Sequence, residues 1–218
     1  MRTSAAPRLR LTEIFRSLQG EADSVGMPTV FVRLTGCPLR CGYCDTAYAF
    51  SGGELWALDD ILARVRELET THVCVTGGEP LAQPAVHRLL AALCDAGYRV
   101  SLETSGALPY AAVDPRVVRV VDVKTPASGE SHRNLYDELA VLAPHDQVKF
   151  VIVDRADYEW SRALLRERAL DRRCSVLFSP AHGTLAPRDL ADWILEDRLP
   201  VRFQFQLHKY LWGDVPGK

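Results

Sequence analysis

Short runs rich in β-branched residues alternate with amphipathic stretches from one end of the chain to the other. Runs at 9–15 (LRLTEIF), 30–35 (VFVRLT), 72–76 (HVCVT), 99–104 (RVSLET), 117–123 (VVRVVDV), 148–153 (VKFVIV), 174–178 (CSVLF) and 202–207 (RFQFQL) predict strands. Several carry few polar residues, as expected of parallel strands covered on both faces. Between them, Leu58, Ile61, Leu62, Val65 and Leu68 recur at helical spacing in LDDILARVRELE, with Asp59 and Asp60 near the start. Pro84 opens AVHRLLAALCDAG and Gly97 closes it as a C-cap. DYEWSRALLRERAL and PRDLADWILEDR supply two more helical patterns. Repeated βα units without an internal sequence repeat predict one α/β domain over 1–218, a parallel sheet or a barrel of fewer than eight units.

The unusual residues gather where the predicted strands end. GCPLRCGYC follows 30–35, GGEP follows 72–76, and Thr104-Ser105-Gly106 closes 99–104. Lys124-Thr125-Pro126, Ser179-Pro180 and His208-Lys209 follow three later strands. In βα barrels and open α/β sheets ligands bind at that edge, so the active-site face is placed before any reaction is known.

Composition narrows the class. Of 218 residues 47% are apolar and 25% charged, ordinary for a globular protein. A formal charge of −2 argues for neither a nucleic-acid nor a membrane partner. No apolar run approaches the roughly 20 residues that span a bilayer. The basic start MRTSAAPRLR lacks the apolar stretch of a secretory signal, so a cytoplasmic location is expected. Six cysteines are then improbable as disulfides. Cys74, Cys94 and Cys174 lie in strand or helix patterns and read as small buried hydrophobes.

Cys37, Cys41 and Cys44 are different, being three thiols within eight residues, separated by three and then two positions. Thiolates suit zinc, copper(I) or iron–sulfur clusters. A closed [4Fe–4S] site takes four cysteines, so three leave one iron open. The alternative is a Cys3His zinc site completed by one of six histidines, but no His lies near the triplet and no second CxxC appears.

VRLTGCPLRCGYCDT resembles the cluster loop of radical S-adenosylmethionine enzymes, whose CxxxCxxC follows the first strand of a partial or full barrel. The resemblance implies an incomplete TIM-like βα barrel of the radical S-adenosylmethionine type. It also implies a [4Fe–4S] cluster whose open iron chelates the cofactor's amino and carboxylate groups and cleaves its sulfonium to a 5′-deoxyadenosyl radical. Tyr43 matches the residue flanking the adenine, and Gly77 to Pro80 match the segment that meets the cofactor's ammonium.

Further motifs, in order, resemble the 7-carboxy-7-deazaguanine synthases from about Leu11 to the C-terminus. They are Leu18-Gln19-Gly20-Glu21, Arg33, Cys44-Asp45-Thr46, Thr76 to Leu81, Leu102 to Gly106, Asp122 to Gly129, Lys149-Phe150-Val151, Ser179-Pro180 and Gln204 to Lys209. That family contracts the ring of 6-carboxy-5,6,7,8-tetrahydropterin with loss of ammonia, in queuosine and other 7-deazapurine pathways. The resemblance implies Mg2+ near Thr46 and Asp45, with a helix cap as their alternative role. Leu18, Gln19, Gly20, Arg33, Thr76, Glu103, His208 and Pro216 match substrate contacts. Arg33 would fork onto the carboxylate, or otherwise pair with a strand carboxylate such as Glu103; Glu103 is also the candidate for proton handling. Cys44, Asp45, Gly78, Lys124, Thr125, Pro126, Ser179, Pro180, Ala181 and His182 match cofactor contacts. Lys149 receives no role. Ala22 departs from the glycine that commonly follows LQGE. A flavodoxin or ferredoxin-type electron donor and a homodimer are implied as well. A glycyl-radical-enzyme activating enzyme shares the cluster loop and compact size, and a non-catalytic metal-binding protein is the remaining alternative.

Overall fold

The computed structural model describes residues 7–213, 215, 217 and 218. Nine strands form one sheet: β1 (Arg8–Leu18), β2 (Pro28–Leu34), β3 (Glu54–Ala57), β4 (His72–Gly77), β5 (Arg99–Thr104), β6 (Val118–Asp122), β7 (Gln147–Ile152), β8 (Ser175–Pro180) and β9 (Arg202–Phe203). Their order is β3-β1-β2-β4-β5-β6-β7-β8-β9. From β2 onward through β4 to β9 neighbours run parallel, whereas β1 is antiparallel to both β2 and β3. The order ends at β3 and β9 without closing, so the sheet is an incomplete barrel.

Helices α1 (Leu58–Glu67), α2 (Val86–Asp95), α3 (Arg155–Arg168) and α4 (Pro187–Glu196) each return the chain to a parallel strand. The α2 positions Val86, Leu89, Leu90 and Leu93 are fully buried at helical spacing. Gly97, at φ 87, ends this helix as expected, its N–H donating to the Cys94 carbonyl. Asp154 caps α3 by accepting from the Asp157 N–H at 2.8 Å.

Strand alternation sorts two faces. Val30, Val32, Val73, Val75, Val100, Leu102, Val148, Phe150, Val176 and Phe178 belong to the core shared with the helices. The intervening positions Arg33, Thr76, Glu103, Asp122, Lys149 and Ser179 face a cavity instead. The parallel strands are therefore dry on one face only, and the inner face is wet chemistry near the strand ends. In β1 the phase changes at a bulge between Leu11 and Glu13: Leu9 and Leu11 lie in the core before it, Ile14 packs against the core after it, and Phe15 lines the cavity.

Two expectations are corrected, and one strand was not foreseen. The strand at 202–207 ends after Phe203, because the alternation has the opposite polarity from a core strand. Phe203 and Phe205 face solvent, while Gln204 is buried and its amide oxygen accepts from the Ala22 N–H at 2.8 Å. Leu207–Trp212 is a short helix, α5, so His208 stands on a helix. The four-residue edge strand β3, too short for periodicity to reveal, pairs Glu54 to Ala57 with Leu11 to Arg8.

Candidate active site

One cavity opens at the C-terminal ends of the strands. It is lined by Leu18, Gln19, Gly20, Arg33, Cys37, Cys41, Tyr43, Cys44, Asp45, Thr46, Thr76, Gly78, Glu103, Lys124, Ser179, Pro180, Ala181, His182 and His208. Sequence reading named all of these. Thr125 and Pro126 do not line it: Thr125 is fully buried with its hydroxyl on Asp157 and the Val151 carbonyl, and Pro126 is exposed. Pro216 lies outside the described residues.

The three cysteines are half-buried free thiols on this rim. Burial pushes Cys37 up and Cys41 up to about 11, opposed in both cases by the Lys124 ammonium. Backbone bonds hold their loop from several sides. The Gly36 N–H donates to the Ala49 carbonyl at 2.8 Å, the Gly42 N–H to Ser128 at 3.1 Å, and the Arg40 N–H to the Glu130 carboxylate at 2.6 Å. Arg40 also stacks over Phe50, 4.2 Å from its centroid.

The glycine pair at the end of β4 lets this loop sit directly on the next one. A Cβ on Gly78 would lie 2.3 Å from the Gly36 oxygen, and one on Gly77 2.2 Å from the Leu34 oxygen. The N–H groups of Gly78 and Glu79 donate to the carbonyls of Leu34 and Gly36 at 3.0 and 2.8 Å. The missing Cβ atoms thus serve contact between two loops as well as room for a ligand.

Among the described residues no group of three His, Cys, Asp or Glu side chains is placed to hold a single metal ion. A Cys3His zinc centre, with four donors on one ion, is therefore not formed. A cluster asks something else, because its cysteines bind separate irons. Three free thiols on one half-buried rim fit that requirement.

Comparison with known proteins agrees. Residues 31–122 match the model of the Radical SAM superfamily. A 7-carboxy-7-deazaguanine synthase of Koribacter versatilis is 46% identical, the match covering 94% of this chain and 97% of that protein. One from Chlorobaculum tepidum is also 46% identical, over 94% of each chain. The chain belongs to the 7-carboxy-7-deazaguanine synthase family. The crystal structure of QueE from Escherichia coli shares the fold with a TM-score of 0.76 at 24% identity, over 92% of this chain and 95% of that one. Streptococcus suis SuiB bound to its precursor peptide SuiA shares the fold with a TM-score of 0.58, over 78% of this chain and 46% of SuiB.

Within this synthase fold two sets of paired charges reach the cavity. In the first set, Arg33 Nε donates to Glu13 at 2.7 Å, so its strand partner is Glu13 and not Glu103. Glu103 instead accepts from the Thr76 hydroxyl at 3.0 Å. The Asp45 carboxylate accepts from Thr46 Oγ1 at 2.8 Å and Gln206 Nε2 at 2.9 Å, with Lys209 Nζ at 3.2 Å. Burial alone would raise Asp45, but these three partners hold it well below the usual carboxylate range. Thr46 caps the following turn through its backbone carbonyl, its hydroxyl being used on Asp45.

In the second set, four side chains of alternating charge form a ladder. Lys149 reaches Glu21 at 2.6 Å and Asp122 at 3.4 Å, and Asp122 reaches Lys124 at 3.1 Å. Burial would lower both lysines, but their carboxylate partners keep them above their ordinary values. Burial would raise Asp122, and the two ammonium groups outweigh it. Glu21, Asp122 and Lys149 went unassigned in the sequence. The signal available there was a lysine inside an apolar strand, which needs a buried partner.

Two further carboxylates act behind the cavity. Glu79, fully buried, accepts from the Leu81 and Ser105 N–H groups and from the Thr104 and Ser105 hydroxyls, joining the ends of β4 and β5. Asp157, 1% exposed on α3, accepts from the Thr125 hydroxyl and the N–H groups of Ala127 and Val153, fixing the loop after β6.

The substrate-side turn also follows from local packing. A Cβ on Gly20 would lie 2.0 Å from His208 Nδ1, and Leu207 N–H donates to the Gly20 carbonyl at 3.0 Å. Only glycine admits the His208 ring there. Ala22, which departs from the commoner glycine, adopts φ 63, a region that L side chains enter at a cost of order 1–3 kcal/mol.

Proposed function

We infer that the protein converts 6-carboxy-5,6,7,8-tetrahydropterin to 7-carboxy-7-deazaguanine with loss of ammonia, in queuosine or other 7-deazapurine biosynthesis. One observation carries the reading to this chain's own residues. The same cavity contains the three free cysteines, an Arg33 whose terminal nitrogens have no hydrogen-bond partner among the described residues, and Glu103 without a salt-bridge partner. A cation with free paired donors suits a carboxylate, and a carboxylate without a counter-cation suits the N–H edge of a pterin.

Cys37, Cys41 and Cys44 would hold the [4Fe–4S] cluster. Cleavage of S-adenosylmethionine to a 5′-deoxyadenosyl radical is the chemistry that the cluster supplies when bound. Tyr43, Gly78, Lys124 and the stretch Ser179 to His182 line the side assigned to S-adenosylmethionine, with Thr125 and Pro126 shaping the loop beneath it. Gln19, Gly20, Arg33, Thr76, Glu103 and His208 surround the substrate. Glu103 holds or returns a proton on the pterin, the Thr76 hydroxyl fixing one of its oxygens.

Mg2+ is part of the proposal. The Thr46 hydroxyl donates to Asp45 and keeps its oxygen lone pairs for a hard cation. Asp45, already balanced by Lys209, acts on that ion through Thr46. A flavodoxin or ferredoxin-type donor, a homodimer and a cytoplasmic location complete the reading. Among the described residues no helix is long and apolar enough to cross a membrane.

The test is anaerobic incubation of reduced, iron-loaded protein with S-adenosylmethionine and the carboxytetrahydropterin, with and without Mg2+. Ultraviolet spectra and mass should reveal the deazapurine. Release of 5′-deoxyadenosine without that product would sink the assignment of substrate.

A further inference from the structure

Arg33 and Glu13 are directly opposite one another in the β1–β2 register. The bulge beside Glu13 lets the run of core residues Leu9 and Leu11 give way to a charged residue on the inner side of the sheet. Glu13 Oε1 takes two bonds, from Arg33 Nε at 2.7 Å and from the Tyr48 hydroxyl at 2.9 Å. The guanidinium carbon lies 5.8 Å from the centroids of both Phe15 and Tyr48, so two rings flank the plane. Arg33 and Glu13 side chains are only 16% and 21% exposed.

What matters is which of these groups meets the cavity. Arg33 lines it, and Glu13 and Tyr48 do not. Glu13 engages the Nε side of the guanidinium, and the Nη1–Nη2 edge has no partner among the described residues. That edge carries the parallel donors that match a carboxylate. A guanidinium on a flexible chain has many orientations, and here a fixed anion and two ring faces select one.

We propose that Glu13, braced by Tyr48, is a positioning residue that aims the free edge of Arg33 into the cavity and thereby sets the preference for a carboxylated heterocycle. The inference rests on the function proposed above. Glu13 touches no substrate. It acts by restricting Arg33. Sites that leave buried donors unpaired when a ligand lacks the matching group discriminate strongly against that ligand.

The experiment compares equilibrium binding of two stable probes, 6-carboxypterin and pterin without the carboxylate, by pterin fluorescence on iron-loaded protein with S-adenosylmethionine. In the wild type the carboxylated probe binds more tightly. In Glu13→Gln, which keeps size and an acceptor oxygen, the ratio of the two dissociation constants should fall on the order of 10-fold. Tyr48→Phe should lower it by a smaller factor, and Arg33→Met should bring it close to one. Iron content and S-adenosylmethionine binding should stay at wild-type values in Glu13→Gln. An unchanged ratio in Glu13→Gln overturns the inference. Should that variant fail to fold, an unchanged ratio in Tyr48→Phe overturns it. Because binding is read without turnover, a wild type that makes no deazapurine would count against the proposed reaction and leave this comparison decisive on its own.

Discussion

Glu103 is distinguished by what it lacks. Glu13, Glu21, Asp45 and Asp122 each lie against a cation, whereas Glu103 has the Thr76 hydroxyl and no cation within salt-bridge distance among the described residues. A group assigned to proton handling should therefore respond sharply to loss of its charge. Glu103→Gln is expected to lower kcat by about 10²–10⁴-fold, the usual contribution of a positioned acid or base. Iron content and S-adenosylmethionine affinity should be kept. Steady-state kinetics beside an iron assay checks this, and turnover near that of the wild type would remove Glu103 from proton transfer. Glu103 was named from the sequence through its match to the synthase motif Leu102 to Gly106. Lys149 received no role there, although it lines the same cavity, because its partner Glu21 is 128 residues away and a chain of letters does not display such pairs.

At the scale of elements, α3 supports the site without reaching it. Asp157 stands in its first turn, where the helix dipole favours an anion. Its two oxygens collect the Thr125 hydroxyl at 2.9 Å, the Ala127 N–H at 3.0 Å and the Val153 N–H at 3.2 Å. Asp157→Ala removes the acceptor of the Ala127 and Val153 N–H groups, each worth roughly 1–3 kcal/mol, and leaves the Thr125 hydroxyl only the Val151 carbonyl. A total loss of about 2 kcal/mol or more is expected, seen as a lowered midpoint in denaturant. S-adenosylmethionine affinity should weaken in parallel, since the loop after β6 loses its anchor. Unchanged binding would separate that loop from the cofactor. The helices and parallel strands were readable because periodicity and caps agree, as in α2 with its buried stripe and Gly97. The last strand misled because its Phe residues face solvent and its Gln faces inward. Only the distant Ala22, whose N–H the Gln204 side chain accepts, explains that inversion.

Over the whole molecule, one sheet brings the first and last segments into a single site. β1 contributes Phe15 and Leu18, and α5 contributes His208 and Lys209, the turn after β1 and α5 being joined by the bond from the Leu207 N–H to the Gly20 carbonyl. The Glu21–Lys149–Asp122–Lys124 ladder runs across the floor from the substrate turn to the cofactor loop. The rim was foreseeable, since parallel strands gather chemistry at their ends whatever the reaction. The pairing across it was not, since it depends on curvature that no local pattern encodes.

The glycine-to-glycine seam between the loops after β2 and β4 has a consequence for how the enzyme is made. Five N–H groups, those of Gly36, Arg40, Gly42, Gly78 and Glu79, tie the cysteine loop and its neighbour to protein acceptors, four of them carbonyls and one the Glu130 carboxylate. Zinc fingers are the opposite case, folding only as their ion binds. With its bonds running from protein to protein, this loop is expected to form before its cluster is loaded. Protein stripped of iron by a chelator under reducing conditions should keep its circular dichroism and most of its thermal midpoint, and should regain its visible absorption on adding iron and sulfide without a refolding step. A chain that unravels on stripping would show the loop to be moulded by its contents. If it holds, a cell short of iron can stockpile the empty enzyme and fill it when supply returns.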